Sequence, residues 1–137
     1  MERRNFIKQC GTMGVACVGL SALLESCKTT VSVPNTATAN KIQVKKLDFA
    51  QNKFVLVNNQ RLEAPIYLYK HNENEYSAVL MLCTHNGCEL NVAGENLACP
   101  CHGAEFSNVG KVLAPPADKD LRKYQITTDQ ENIYIQL

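Results

Sequence analysis

Residues 41–137 predict an antiparallel all-β domain, a sandwich or barrel, on three observations. Short runs rich in Val, Ile, Leu and Tyr recur between polar turns, the last run alternates with a period of two, and no stretch carries a helical apolar stripe long enough to form a layer. The runs are 42–47, 54–57, 66–69, 76–82, 121–128 and 133–137. Their β-branched and aromatic residues suit a pleated, half-buried surface. In the last run Ile133, Ile135 and Leu137 alternate with Tyr134 and Gln136, as in a half-buried edge hairpin whose turn is Asp129-Gln130-Glu131-Asn132.

Fourteen Lys and Arg against thirteen Asp and Glu leave a formal net charge of +1. With no basic stripe, that balance argues against a nucleic-acid partner. Neither a G-x-G-x-x-G run nor a Walker loop is present, so no nucleotide site is indicated. Residues 41–137 suffice for one small core and no more.

The chemistry is concentrated in two short segments, Cys83-Thr84-His85-Asn86-Gly87-Cys88 and Cys99-Pro100-Cys101-His102-Gly103. Each offers soft thiols and an imidazole at close spacing, which is metal-ligand chemistry. Tetrahedral zinc also takes Cys and His in pairs, but it would leave some of these six candidates unused. Gly87 and Gly103 suit tight turns where the backbone must come close to a bound group. Between the segments, a short hairpin is expected around 92–96.

These segments closely resemble the paired CTHxGC and CPCHG loops of the Rieske iron–sulfur family. The resemblance implies one [2Fe–2S] cluster, with Cys83 and Cys99 as thiolate ligands of one iron and His85 and His102 as imidazole ligands of the other. That mixed shell carries less negative charge than an all-Cys shell and raises the potential. It further implies a Cys88–Cys101 disulfide tying the loops together, and a β domain with a small cluster-binding subdomain formed by the two loops. The stretch from Gly110 to Ala117, with Pro115 and Pro116, stands where the family has a proline loop covering the cluster. High-potential members place a Ser and a Tyr after the second loop, whose hydroxyls bond to sulfur. Here the matching residues are Ala104 and Phe106, which donate nothing. A lower potential follows, and by analogy a donor such as menaquinol.

Residues 1–27 read as an export signal or membrane anchor. A charged start containing Arg3-Arg4-Asn5-Phe6-Ile7-Lys8 resembles a twin-arginine signal, and a mildly apolar run from Cys10 to Leu24 follows. That run is shorter than the roughly 20 residues of a comfortable span. Leu24-Glu25-Ser26-Cys27 resembles a lipobox, which implies lipidation at Cys27. Residues 28–40, rich in Thr, Ser, Val, Asn and Ala, read as a flexible linker. Of seven Cys, cleavage at Cys27 would remove Cys10 and Cys17. The disulfide requires an oxidising compartment, which export supplies. The expected location is the outer, periplasmic face of the bacterial cytoplasmic membrane.

Together these features lead to an electron-transfer subunit of a membrane quinol-oxidising complex of the cytochrome bc or b6f type. The resemblance implies a cytochrome b-like subunit, a c-type cytochrome and quinol as partners. Two alternatives are the small Rieske subunit of a periplasmic molybdenum oxidase, similar to arsenite oxidase, and a Rieske ferredoxin serving an oxygenase. The signal and the Cys88–Cys101 pair count against the ferredoxin. A self-sufficient oxygenase needs two further His and a carboxylate for a second iron, and His71 is the one His left. Beside Asn72 and Glu73, His71 is expected in an exposed loop.

Overall fold

The computed structural model describes Ser32 and residues 36–137. The expected export signal 1–27, with Cys27, lies outside the described residues, as do 28–31 and 33–35 of the expected linker. In chain order the strands are β1 (Thr36–Thr38), β2 (Lys41–Lys45), β3 (Phe54–Val57), β4 (Ile66–Lys70), β5 (Tyr76–Leu80), β6 (Asn91–Ala93) and β7 (Asn96–Ala98). They continue as β8 (Glu105–Phe106), β9 (Val112–Ala114), β10 (Lys123–Tyr124), β11 (Ile126–Thr128) and β12 (Asn132–Gln136). A single 3-10 turn, Lys46–Phe49, joins β2 to β3 and buries Phe49.

Three four-stranded antiparallel sheets result, in the orders β1-β2-β12-β11, β10-β5-β4-β3 and β6-β7-β8-β9. The middle sheet is buried on both faces. Ile66 and Leu68 of β4, with Ala78 and Leu80 of β5, pack against Ile42, Val44, Ile133 and Ile135 of the first sheet. The alternate residues Tyr67, Tyr69, Val79 and Met81 turn the other way, onto Leu90, Leu97 and Phe106 of the third unit. This explains why 66–69 is apolar without alternation: both faces of β4 are covered. Burying each such Leu, Ile or Phe contributes about 1.5–3 kcal/mol, so the two cores dominate the stability of the fold. By comparison, the Lys53–Glu95 ion pair joining the β6–β7 turn to the start of β3 is well exposed and contributes roughly 0–1 kcal/mol.

The all-β expectation holds, and the structure refines it in four places. β12 is an interior strand between β2 and β11 rather than a sheet edge, because Gln43 and Tyr134 face each other across a second ladder. The run 121–128 is divided: β10 pairs with β5 of the middle sheet and β11 with β12 of the first, so the chain changes sheets at Gln125. At the end of the stretch expected as linker, β1 pairs with β2, its three residues all exposed. Without an apolar face, nothing in its composition marked it as a strand. Lastly, the cluster-loop subdomain is a sheet of its own, and β8 and β9 are too short to have a readable period.

The hairpin expected around 92–96 is present as β6–β7. Gly110 is demanded by packing. A Cβ there would lie 2.9 Å from Val79 Cγ1 and 3.1 Å from the Leu121 Cβ, and its φ is +79°. It lets the chain that follows β8 lie directly on the middle sheet.

Candidate metal centre

The two Cys/His segments are loops built to one backbone plan. In the first, the Cys83 N–H donates to the Cys88 carbonyl at 2.8 Å and the Gly87 N–H to the Cys83 carbonyl at 2.8 Å. The second repeats this, with Cys99 N–H to the Ala104 carbonyl at 2.8 Å and Gly103 N–H to the Cys99 carbonyl at 3.0 Å. Gly87 and Gly103 occupy the same place in each loop, with φ of 71° and 78°, a conformation that other residues adopt at a cost. The first loop leaves the middle sheet beyond β5 and is closed by a bridge between Leu82 and Glu89. The second connects β7 to β8.

A disulfide joins Cys88, the last residue of the first loop, to Cys101, the third of the second. Cys83 and Cys99 remain free and buried, 3% and 4% exposed. Burial raises the Cys83 pKa, against N–H groups of His85 and Asn86 that bond its sulfur. Burial acts on Cys99 in the same sense, but the Cys101 and His102 N–H groups and the Cys83 thiol together outweigh it and hold its pKa low. The two thiols thus act on each other, Cys99 raising the Cys83 pKa and Cys83 lowering that of Cys99. N–H donors aimed at both sulfurs favour thiolates. The sulfurs of Cys88, Cys99 and Cys101 also lie within 4.8 Å of one another. That trio is not a ligand set, because two of its members are spent on the disulfide.

His85 and His102 are exposed at the tips of their loops, their rings perpendicular with centroids 5.0 Å apart. The loops therefore bring together all four expected ligands as a buried pair of thiols and an exposed pair of imidazoles. Ala104 and Phe106 are fully buried and have no side-chain donor. Pro115 and Pro116, joined by a cis peptide, are exposed, and Ala117 behind them is buried in the second core. One contact was not foreseen from the sequence: the Thr84 hydroxyl donates to the Lys119 carbonyl at 2.6 Å, latching the first loop to the segment after the prolines. Thr84 sits inside the motif, but no local pattern points to Lys119. His71 is exposed as expected, its ring against Tyr69 at 4.9 Å and its Nε2 2.9 Å from the Ser77 hydroxyl. Ser77 in turn donates to the Asn108 carbonyl, so His71 supplies the proton of their shared bond.

A family model described as Rieske [2Fe-2S] domain matches residues 39–125. The chain belongs to the Rieske [2Fe–2S] domain family. Its cofactor is accordingly one Rieske-type [2Fe–2S] cluster. The residues present fit that group: two adjacent buried sulfurs with N–H donors, and two neighbouring imidazoles, are the donor set of a Cys₂His₂ cluster. Among curated Rieske proteins, the chain is 33% identical over 63 residues to the cytochrome b6-f complex iron-sulfur subunit of Chlorobaculum tepidum, covering 44% of this chain and 35% of that protein. It is 29% identical over 75 residues to the subunit of the same name from Synechococcus sp. strain CC9605, covering 52% and 42%. The matches thus span roughly two-fifths of those relatives. The crystal structure of the cyanobacterial plasma membrane Rieske protein PetC3 from Synechocystis PCC 6803 superposes with a TM-score of 0.60 at 31% identity, covering 77% of this chain and all of that one. A chain from the complex of reduced oxygenase and oxidized ferredoxin in carbazole 1,9a-dioxygenase shares the fold, with a TM-score of 0.53 at 21% identity, covering 69% of this chain and 92% of that one.

Proposed function

We propose that this Rieske protein is the electron-transfer subunit of a membrane quinol-oxidising complex of the cytochrome b6f or bc type, with Cys83, Cys99, His85 and His102 as the cluster ligands. The observation that carries the reading is the polarity of the site: the thiols are buried and the imidazoles exposed. When bound, the cluster supplies a one-electron couple. Cys83 and Cys99 would hold it from inside, where both are buried. His85 and His102, exposed at the loop tips, would hold it from the other side and could each accept a hydrogen bond from a quinol hydroxyl through the ring nitrogen not used for ligation. The disulfide and the Thr84–Lys119 latch keep the loops in one arrangement, so little reorganisation accompanies a change of charge.

The names of the curated relatives support a cytochrome b-like subunit and a c-type cytochrome as partners; attachment on the outer face of the membrane is inferred from the expected export signal and from the oxidising compartment that the loop disulfide requires. Among the described residues no helix is long and apolar enough to cross a membrane. Attachment is assigned to residues 1–27 on their sequence pattern, through lipid at Cys27 or a retained anchor, with the expected linker 28–40 following it. The loop disulfide favours this reading over a ferredoxin serving an oxygenase.

The test is ligand removal. His85→Ala and His102→Ala should each lose the electron paramagnetic resonance signal of mixed Cys/His ligation while the base of the domain stays folded by circular dichroism. A normal spectrum from either variant would refute the ligand assignment. Co-purification of the full chain from membranes with b- and c-type haem would support the complex, and co-purification with a molybdenum oxidase would replace it.

A further inference from the structure

On the thiol side of the site, away from the imidazole tip, a cavity of about 330 Å³ opens to the surface. Leu62, Leu80 and Leu82 contribute apolar lining, and Cys83 and Thr84 line it as well. Neither His85 nor His102 lines it. Arg61 and Arg122 stand at the cavity together with one acid, Glu63. Among the described residues, neither guanidinium lies within ion-pair distance of a carboxylate; the ion pairs there are Lys53–Glu95 and Lys70–Glu73.

Both arginines are held by other means. Arg61 Nη1 donates to the Ala39 carbonyl at 3.0 Å, and the Arg122 guanidinium lies 5.0 Å above the Tyr124 ring. Each therefore keeps free N–H groups in a restrained orientation, which lowers the entropy lost on binding. The Thr84 hydroxyl is already committed to Lys119, so the guanidiniums are the donors available to an occupant. Paired planar forks beside an apolar, poorly hydrated floor suit carboxylates. The volume is at the small end for ligand cavities, which run from about 300 Å³ upward, and matches an acidic side chain better than a whole cofactor.

We propose that Arg61 and Arg122 form a docking socket for the carboxylates of an acidic redox protein, which then exchanges electrons with the cluster from the Cys83 side. The inference rests on the ligand set and electron-transfer role proposed above. Because neither His85 nor His102 lines the cavity, the socket is a second port beside the imidazole one. Rim charges of this kind act mainly on association and its salt dependence.

The experiment measures binding of the oxidised full-length protein to an immobilised, oxidised acidic c-type cytochrome, so that no electron moves. Arg61→Gln/Arg122→Gln is compared with Lys45→Gln/Lys46→Gln, which removes equal charge from the first sheet and the turn after it. The arginine pair should weaken binding at least tenfold and flatten its salt dependence; the lysine pair should change it less than twofold. A basic c-type cytochrome should be insensitive to both. In stopped-flow oxidation of the reduced protein, the arginine variant should slow with the acidic cytochrome and not with hexaammineruthenium(III). Equal losses for the two charge pairs would overturn the socket. So would an arginine effect seen with vesicles of anionic phospholipid but not with the cytochrome, which would assign the site to a lipid headgroup. If the arginine pair disturbs folding by circular dichroism, Arg61→Gln alone, at an exposed position, should still weaken binding at least threefold. Absence of the cluster signal in the wild type would refute the electron-transfer role, whereas the equilibrium binding result stands or falls independently of it.

Discussion

The base of the molecule and its tip are held together by different chemistry. In the base, β2 and β12 place Ile42, Val44, Ile133 and Ile135 against Val55, Val57, Ile66 and Leu68, all of them 0–1% exposed. The tip has Leu90, Leu97 and Phe106 as its large apolar core, and it makes up the difference with repeated backbone hydrogen bonds, a disulfide and a latch. Aliphatic packing tolerates small adjustments, whereas a metal site needs its donors fixed to fractions of an ångström. The tip therefore uses covalent and directional contacts where the base uses area.

The contrast is broken most directly by emptying the tip's core. Phe106 is fully buried between β7 and the middle sheet, so Phe106→Ala should cost about 3–5 kcal/mol. If tip and base are separable, native-state hydrogen exchange should show lost protection at Cys83, Gly87, Cys99 and Gly103 while Val44 and Ile133 keep theirs. Equal loss in both regions would mean one cooperative unit, and the division between tip and base would not stand.

Removing the covalent tie comes next. Cys88 and Cys101 are 13 residues apart in sequence, and closing a loop of that size stabilises by about 3 kcal/mol in the chain-entropy account. Cys88→Ala or Cys101→Ala should lower the resistance of the cluster to heat and chelator while leaving all four proposed ligands present. Mass spectrometry of the wild-type protein should find the pair linked. Cluster loss at the wild-type rate in either variant would show that the backbone bonds alone hold the loops.

How much of this could be read beforehand also divides by region. In the tip, donor type and close spacing are local properties that marked the two loops, and the family they resemble implied the proposed ligands, the disulfide pair and the short hairpin between them. What lay beyond them was non-local: Lys119 is 35 residues from Thr84, and Arg61 and Arg122 reach one cavity from separate strand connections. In the base, runs with a readable period became strands, and 66–69 was legible as apolar though not as two-faced. The interior place of β12 and the change of sheet at Gln125 depend on which strands pair, which periodicity does not encode. β8, with two residues, has no period to read.

A smaller change sharpens the view of the tip as a tuned electrostatic site. Ala104 stands fully buried at the end of the second loop, its carbonyl accepting the Cys99 N–H. Ala104→Ser would add a donor beside the sulfurs. A hydrogen bond to a charged acceptor contributes about 1.5–3 kcal/mol, but only the part that strengthens on reduction raises the potential. At about 59 mV per tenfold change for one electron, a rise of a few tens of millivolts is expected by protein-film voltammetry. An unchanged or lower potential would show that the new hydroxyl does not reach sulfur.

The smallest expected effect lies in the base, at the turn between β11 and β12. Asp129 accepts the Tyr134 hydroxyl at 2.7 Å and the backbone N–H groups of Glu131 and Asn132 at 2.9 and 2.7 Å. The Tyr134 hydrogen bond, followed by those N–H donors, lowers the Asp129 pKa to about 2. A carboxylate with a depressed folded pKa stabilises the fold above its unfolded value, about 3.9, and that contribution is lost as pH falls through the folded value. Because Asp129 is exposed, solvent screens much of the effect. Thermal melts of wild type and Asp129→Asn should therefore differ by a constant amount above about pH 5, converge as pH falls through 4 to 2 and coincide only near pH 1, below both pKa values. Protection of the loop amides at Gly87 and Gly103 should not follow that convergence, since the ties of the two loops, their backbone bonds, the disulfide and the Thr84–Lys119 latch, contain no carboxylate. A melting difference independent of pH would mean that the shape of the Asp129 side chain, and not its charge, holds the turn.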